Sequence, residues 1–407
     1  MIRPERRTRG DLIAAAAIAA VVLLVIATFW WRSSERATIS RPAIGPAPSS
    51  TAADAVPPTL AQRWTAASGR TLSPILVGTT VITGDGRTMA GLDPQTGQLR
   101  WSYARDTDLC GVSHVYELAV AVYPDDRGCG QVSGIKAATG QRGPTRTSYA
   151  DEVVVLSSDA NAVLSAGATR LELWRSDLVR MLSYGEIDAP VKPVNTKLGE
   201  GCALMSAAAS ESAVSVLEAC RDEKDLRLTL LKPGKEEDEP ELKKIPLAGV
   251  AIDAEARVLT VAGTTTAVFV PTPRPEVVVY DDTGSKVSGT LLPAPPALTS
   301  TLPAVTRAGD TITWWTGSAV MVFDTKMGYR YTLDSAERLA PLGPATMMAG
   351  RLLVPVTDGL AVFNPSDGAF ERTIPLSHPG GTGPVIPAVS GPVVIEQRGA
   401  TLVGFGP

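Results

Sequence analysis

The hydrophobic pattern changes character twice along the chain. Leu12 to Trp31, LIAAAAIAAVVLLVIATFWW, runs for twenty residues without a charge, and at about 1.5 Å per residue in a helix it spans roughly 30 Å, the hydrocarbon thickness of a bilayer. From Leu60 onward, apolar residues fall in short runs or alternate with polar ones, bounded by Gly, Pro, Asp and Asn. A period of two with such punctuation predicts strands and turns. Between these regions, Ser40 to Pro58 carries Pro42, Pro46, Pro48, Pro57 and Pro58 among Ala, Ser and Thr, a composition suited to extended chain. The expected organisation is a short segment 1–11, a transmembrane helix 12–31, a proline-rich stalk 32–59 holding the folded part off the membrane, and an all-β domain 60–407.

Within the β region one unit repeats. Ser73 to Trp101, SPILVGTTVITGDGRTMAGLDPQTGQLRW, reads as an antiparallel meander, and its closing turn recurs at 135–142, 280–287, 323–331 and 363–371. Asp or Asn starts the turn through its side-chain acceptor, and Gly supplies the positive φ before the last strand. The turn glycines Gly97, Gly140, Gly284, Gly328 and Gly368 are spaced 43, 144, 44 and 40 apart. The interval of 144 is three times 48, so two degenerate units fit inside it, closing near Asp177 and Gly234. At the end, Gly383 to Pro407 matches the unit through its third strand and stops, while Leu60 to Gly69 carries Trp64 where the first unit carries Trp101. An N-terminal strand that completes the last unit closes a ring and removes its open edges. Leu60 to Pro407 is 348 residues, or 43.5 per unit for eight units. The expected fold is an all-β propeller of four-stranded blades closed by the N-terminal strand, with eight blades favoured and seven compatible.

Charge and cysteine usage supply an address. Arg3, Arg6, Arg7 and Arg9 precede the apolar run against Glu5 and Asp11, so the positive-inside rule places the N-terminus in the cytoplasm and everything after Arg32 outside, in the periplasm. A cleaved signal peptide is the alternative to an inner-membrane anchor, but its apolar region usually spans about 7 to 15 residues. Cys110, Cys129, Cys202 and Cys220 allow three connectivities; two local disulfides, Cys110–Cys129 and Cys202–Cys220, are favoured as joining neighbouring strands in an oxidising compartment. A zinc site lacks CxxC spacing, and the two histidines, His114 and His378, lie far apart. A net charge of -4 supplies no cationic field for nucleic acid.

LDPQTGQLRW, Leu92 to Trp101, resembles the repeat of pyrroloquinoline-quinone-type propellers through Ala90, Asp93, Thr96, Gly97 and Trp101. The resemblance implies that Trp64 and Trp101 pack between blades. Quinoprotein dehydrogenases with this repeat are longer, bind calcium beside the cofactor and often carry a vicinal disulfide; no cysteines are adjacent here and no calcium cluster stands out. GxSxG, Walker, HExxH and EF-hand motifs are absent from the sequence. No enzyme, metal or cofactor is expected. The opening RPERRTRGDLIAAAAIA, the WW pair and RATISRP at 36–42 resemble the membrane-anchored periplasmic propellers of mycolic-acid bacteria, which assist polar growth and envelope lipid trafficking. That resemblance implies binding to a trehalose monomycolate-type glycolipid or its RND-type exporter. A protein-only scaffold, like the outer-membrane assembly propellers, is the alternative.

Three stretches are candidates for contact with a ligand or partner. Trp314 and Trp315 are adjacent on a strand and point to opposite faces, so one ring is available if the other packs. Met347 and Met348 offer an adaptable apolar surface. Lys232 to Lys244, KPGKEEDEPELKK, reads as a solvated hairpin tip or an electrostatic handle.

Overall fold

The computed structural model describes residues 8–187, 190–195, 198–298, 302–334, 339–378 and 383–407. Arg3, Glu5, Arg6 and Arg7 lie outside the described residues. The first element is a helix, Arg9–Arg32, started by a capping box in which Thr8 and Asp11 exchange side-chain and backbone hydrogen bonds. Its mean hydropathy reaches 2.9 and none of its side chains is buried against the protein. It is long and apolar enough to cross a membrane.

Eight antiparallel sheets follow among the described residues. The first seven blades run in chain order over 75–104, 111–147, 155–185, 202–251, 257–291, 305–333 and 346–375. The eighth combines three strands within 385–406 with the N-terminal strand Ala61–Ala67, which pairs from Ala61 opposite Gly406 to Ala67 opposite Thr401. The blade number is therefore eight, and the ring closes as the complementary terminal units predict. Asp177 and Gly234 do lie in the turns before the last strands of the third and fourth blades, Arg180–Gly185 and Glu241–Ala251.

The repeating turn explains how one blade grips the next. Asp93 accepts hydrogen bonds from the N–H groups of Gln95 and Thr96 at 2.8 and 3.0 Å, and Gly97 then takes a φ of +68°. Trp101 of the first blade lies over its strand partner Gly91 and under the turn glycine Gly140 of the second blade. A Cβ at Gly91 would fall 2.2 Å from the indole, and one at Gly140 2.6 Å from it. The indole N–H donates to the Ala137 carbonyl at 2.7 Å. Trp64 repeats the arrangement between the eighth and first blades: it fits against Gly404 and Gly97 and donates to the Pro94 carbonyl at 2.9 Å. In the sixth blade Tyr331 takes the role, packing on Gly368 and donating to the Pro365 carbonyl at 2.7 Å.

Both favoured disulfides are present. Cys202 and Cys220 are direct cross-strand partners. Cys110 and Cys129 are not on neighbouring strands: Cys110 precedes Gly111–Val115, Cys129 sits in Gly128–Lys136, and Leu118–Asp125 runs between those two strands. That bridge reaches past a strand because both cysteines lie at one end of the blade, where Cys110 donates its N–H to Val122.

The proline-rich segment and the charged hairpin both differ from the sequence expectation. The stalk is laid along the propeller. Ile39–Arg41 adds a fifth strand to the first blade by pairing with Leu99–Ala104. Downstream, Arg100 donates to the Pro46 carbonyl and Arg372 to the Val56 carbonyl, each at 2.8 Å. Ala53 and Val56 pack against the core shared by the seventh and eighth blades. Extended proline-rich chain leaves its carbonyls without internal partners, and arginines of the blades take them. The hairpin within 232–244 is likewise no free tip. Glu236 pairs with Lys192, Glu237 pairs with Arg180, and buried Asp238 accepts from Val191 N–H and Asn195 Nδ2 at 2.6 and 3.0 Å. The acidic run is therefore spent on holding the 190–195 segment and the third blade.

The glycine under the indole yields a direct test. Gly140 and Gly86 both have positive φ, +71° and +50°, but a Cβ on Gly86 meets open space. Gly86→Ala is expected to cost about 1–2 kcal/mol from backbone strain alone. Gly140→Ala adds a clash with a buried ring and is expected to cost roughly 2–3 kcal/mol more. Thermal unfolding of the two variants checks this; equal losses would show that the indole is not clamped.

Candidate functional site

The innermost strands of the eight blades surround a central channel, which holds two adjoining cavities of about 260 and 630 Å³. His114, Ser158, Thr260, Val305 and Ile386 line both. The smaller cavity is bounded mainly by apolar side chains such as Leu72, Val112, Leu156, Val258, Leu302 and Pro384, with the hydroxyls of Ser73, Ser113, Ser157, Ser158 and Thr260 among them, and His114 is its only titratable side chain among the described residues. The larger one opens where the innermost strands turn outward, and there Asp159 and Arg307 join the wall beside Met347 and Ala388. The channel is therefore apolar along one part and charged at one mouth. Small side chains on the inner strands, above all Ala207 to Ala209, keep it open; they carry no chemistry that singles them out in the sequence.

Its electrostatics are set by His114, Asp159 and Arg307, of which the first two interact. Burial lowers the pKa of His114, with the Asp159 carboxylate pulling weakly the other way, so the imidazole is neutral at neutral pH. Asp159 is itself engaged: Oδ1 accepts from the N–H groups of Asn161 and Ala162, both at 2.9 Å, and Oδ2 accepts from Glu211 N–H at 2.8 Å. It ties the inner turn of the third blade to that of the fourth. The other histidine, His378, has its Nε2 3.1 Å from both oxygens of the fully buried Glu396, which Arg398 also holds.

A third cavity, of about 520 Å³, opens on the flank of the second and third blades, roofed by Glu237 and Asp238 of the fourth. Arg127, Arg146, Arg170 and Arg180 line it together with Glu172, Asp177, Glu237 and Asp238. Its floor is an ion network. Buried Glu172 accepts from Arg146 at 3.0 Å, from Arg180 at 2.8 Å and from the Trp174 indole at 2.7 Å. Arg175 donates to both oxygens of Asp177 and holds that carboxyl down to about 2. With Arg146 and Arg180 sharing Glu172 and Arg180 also pairing with Glu237, this cleft reads as a device that joins the second, third and fourth blades.

The four residues singled out in the sequence are divided by the fold. Trp314 is 1% exposed and packs against Phe269, ring centroids 5.7 Å apart, in the core between the fifth and sixth blades. Trp315 is half-buried on the other face, beside the core between the sixth and seventh, and donates to the Pro341 carbonyl at 2.9 Å. Both faces of a propeller blade are covered by neighbours, so alternation along the strand sends each ring into an interface. Met348 is buried between the seventh and eighth blades, whereas Met347 reaches the channel wall. Of the four, Met347 alone lines the channel.

No protein-family model matches the chain, and no curated protein sequence matches it. Solved structures do. BamB from Moraxella catarrhalis aligns with a TM-score of 0.51 at 14% identity, over 86% of this chain and 100% of that one. The computationally designed Ika8 protein aligns at 0.52 and 13%, over 84% and 96%. The dihydro-heme d1 dehydrogenase NirN aligns at 0.50 and 10%, over 86% and 80%. These define the class, a β-propeller. A designed protein and a dehydrogenase sharing that shape show that function has to be argued from the site.

Burial of His114 is expected to make the stability of the fold depend on pH. Its pKa is lowered in the folded state, so as pH falls below about 6.5 the unfolded chain takes up a proton that the folded chain resists. Stability is then expected to be full above that pH and to decline as pH drops from it toward the lowered value. Melting temperatures at pH 7.5 and 5.5 check this: His114→Asn is expected to lose less on acidification than the parent, and an identical loss would remove His114 as a cause.

Proposed function

We propose that this protein is a non-enzymatic, membrane-anchored propeller of the extracytoplasmic envelope, and that its central channel takes an amphiphile. The carrying observation is the channel's polarity: an apolar section followed by a mouth with Asp159 and Arg307. An acyl chain suits the first and a hydroxylated or charged headgroup the second. A glycolipid of the trehalose monomycolate type fits that description. The partner would be its RND-type exporter, with the propeller receiving or presenting lipid beside the inner membrane in support of polar envelope growth. The helix at Arg9–Arg32 and the two disulfides support an address outside the cytoplasm. The engagement of Asp159 with three backbone N–H groups and of His378 with Glu396 supports a binding role over a catalytic one.

The test is native mass spectrometry of the full-length protein, released from detergent after exposure to an envelope lipid extract. A stoichiometric glycolipid adduct is expected. Thr260 lines both cavities, so Thr260→Trp should block the channel and weaken binding by about tenfold or more. Val287→Trp, on an exposed outer strand of the same blade, should leave it unchanged. A clean unliganded mass for the parent, or an adduct that Thr260→Trp does not diminish, would overturn the channel reading in favour of a protein-only scaffold.

A further inference from the structure

The membrane helix and the propeller are joined far more closely than a stalk would allow. Arg32 ends the helix and Ile39 begins the strand added to the first blade, leaving only the six residues 33–38 between them. Fully extended, six residues reach roughly 20 Å, and Ser34–Ala37 is wound into a helical turn that shortens the link. The outer edge of the first blade is therefore the part of the propeller held nearest the bilayer.

That edge has the surface chemistry of something that meets a membrane. Ile39 is 45% exposed, Ile44 fully exposed and Leu99 61% exposed, all on or beside the same pair of strands. Arg41 stands exposed between Ile39 and Ile44. Exposed Arg32 and Arg36 complete the link, and Arg36 stacks on Trp31, its guanidinium 4.0 Å from the ring centroid. An indole at the end of a membrane helix sits at headgroup depth, so the Arg36 charge lies there too. Apolar side chains interleaved with arginines bind an anionic leaflet by combining shallow insertion with charge attraction.

We propose that the first blade's outer edge, through Ile39, Arg41, Ile44 and Leu99, lies on the membrane surface and is held there by anionic lipid headgroups. The eight-bladed ring then stands with one flank on the bilayer and the fifth blade farthest from it. This rests on the helix being a membrane anchor and is independent of what the channel binds.

The test uses the full-length chain in nanodiscs of phosphatidylcholine and phosphatidylglycerol that carry nitroxide-labelled headgroups. All four cysteines are in disulfides, so an introduced thiol labels alone. With a bimane on Ile44→Cys, quenching is expected to exceed that on Val287→Cys of the fifth blade by about threefold or more. Adding Arg36→Glu and Arg41→Glu should bring quenching at position 44 down toward the level at 287, as should discs of phosphatidylcholine alone. Weak quenching at 44, or equal quenching at both positions, would overturn the proposal while leaving the anchor intact and the edge free for a protein. A chain that fails to co-purify with the discs would overturn anchor and edge together.

Discussion

Everything in this propeller depends on how one sheet grips the next, and the clearest grip is a single aromatic side chain fitted between two glycines. Trp101 occupies a slot that exists because Gly91 has no Cβ beneath it and Gly140 has none above it. The same turn that supplies Gly140 supplies the Ala137 carbonyl for the indole N–H. Burial, shape and hydrogen bond thus come from one local sequence feature, and they act across blades. Trp64 uses the slot of the first blade in the same way, although the other three strands of its own blade come from the C-terminal end of the chain. Ring closure is consequently made by the same contact as blade-to-blade packing, supplemented by the pairing of Ala61–Ala67 with the final strand.

The remaining interfaces solve the problem with other materials. Tyr331 retains the hydrogen bond to the next turn with a smaller ring. In the third blade the charged network around Glu172 replaces part of an apolar contact, binding Arg146 of the second blade and, through Arg180, Glu237 of the fourth. Leaving buried Glu172 or Arg146 without its partner would be strongly destabilising, so the two are retained together. Packing sheets radially leaves a space along the axis, filled or open according to the size of the inner-strand side chains. Here Ala207 to Ala209, Ser157 and Ser158 leave it open. The channel is thus a by-product of ring size and small residues, and its ligand chemistry comes from the few larger groups that reach it.

Legibility followed the range of the interactions. The turn at Asp93 to Gly97 is a local hydrogen-bond pattern, so its recurrence could be read along the chain and counted. The half-unit after Gly383 and the lone strand around Trp64 are complementary fragments, so their union was readable as well. Trp314 and Trp315 show where such reading stops. Strand alternation correctly placed them on opposite faces, but only the radial packing decides that both faces are covered. The proline-rich segment was misread for a related reason: its composition forbids a core of its own, yet says nothing about Arg100 and Arg372, distant in sequence, that accept it as an added layer.

By itself, the sequence determined the apolar helix, the β repeat and its closure into a ring, and it favoured eight units and two local cysteine pairs, since each depends on periodicity, turn chemistry or proximity along the chain. Only the tertiary structure decided that the linker is strapped to the blades, that the acidic hairpin is tied down by Arg180 and Lys192, and that His114, Asp159, Thr260 and Arg307 meet around one channel. Those residues come from different blades and share no spacing. Their meeting is fixed by closure of the ring, a condition that no local stretch of the chain encodes.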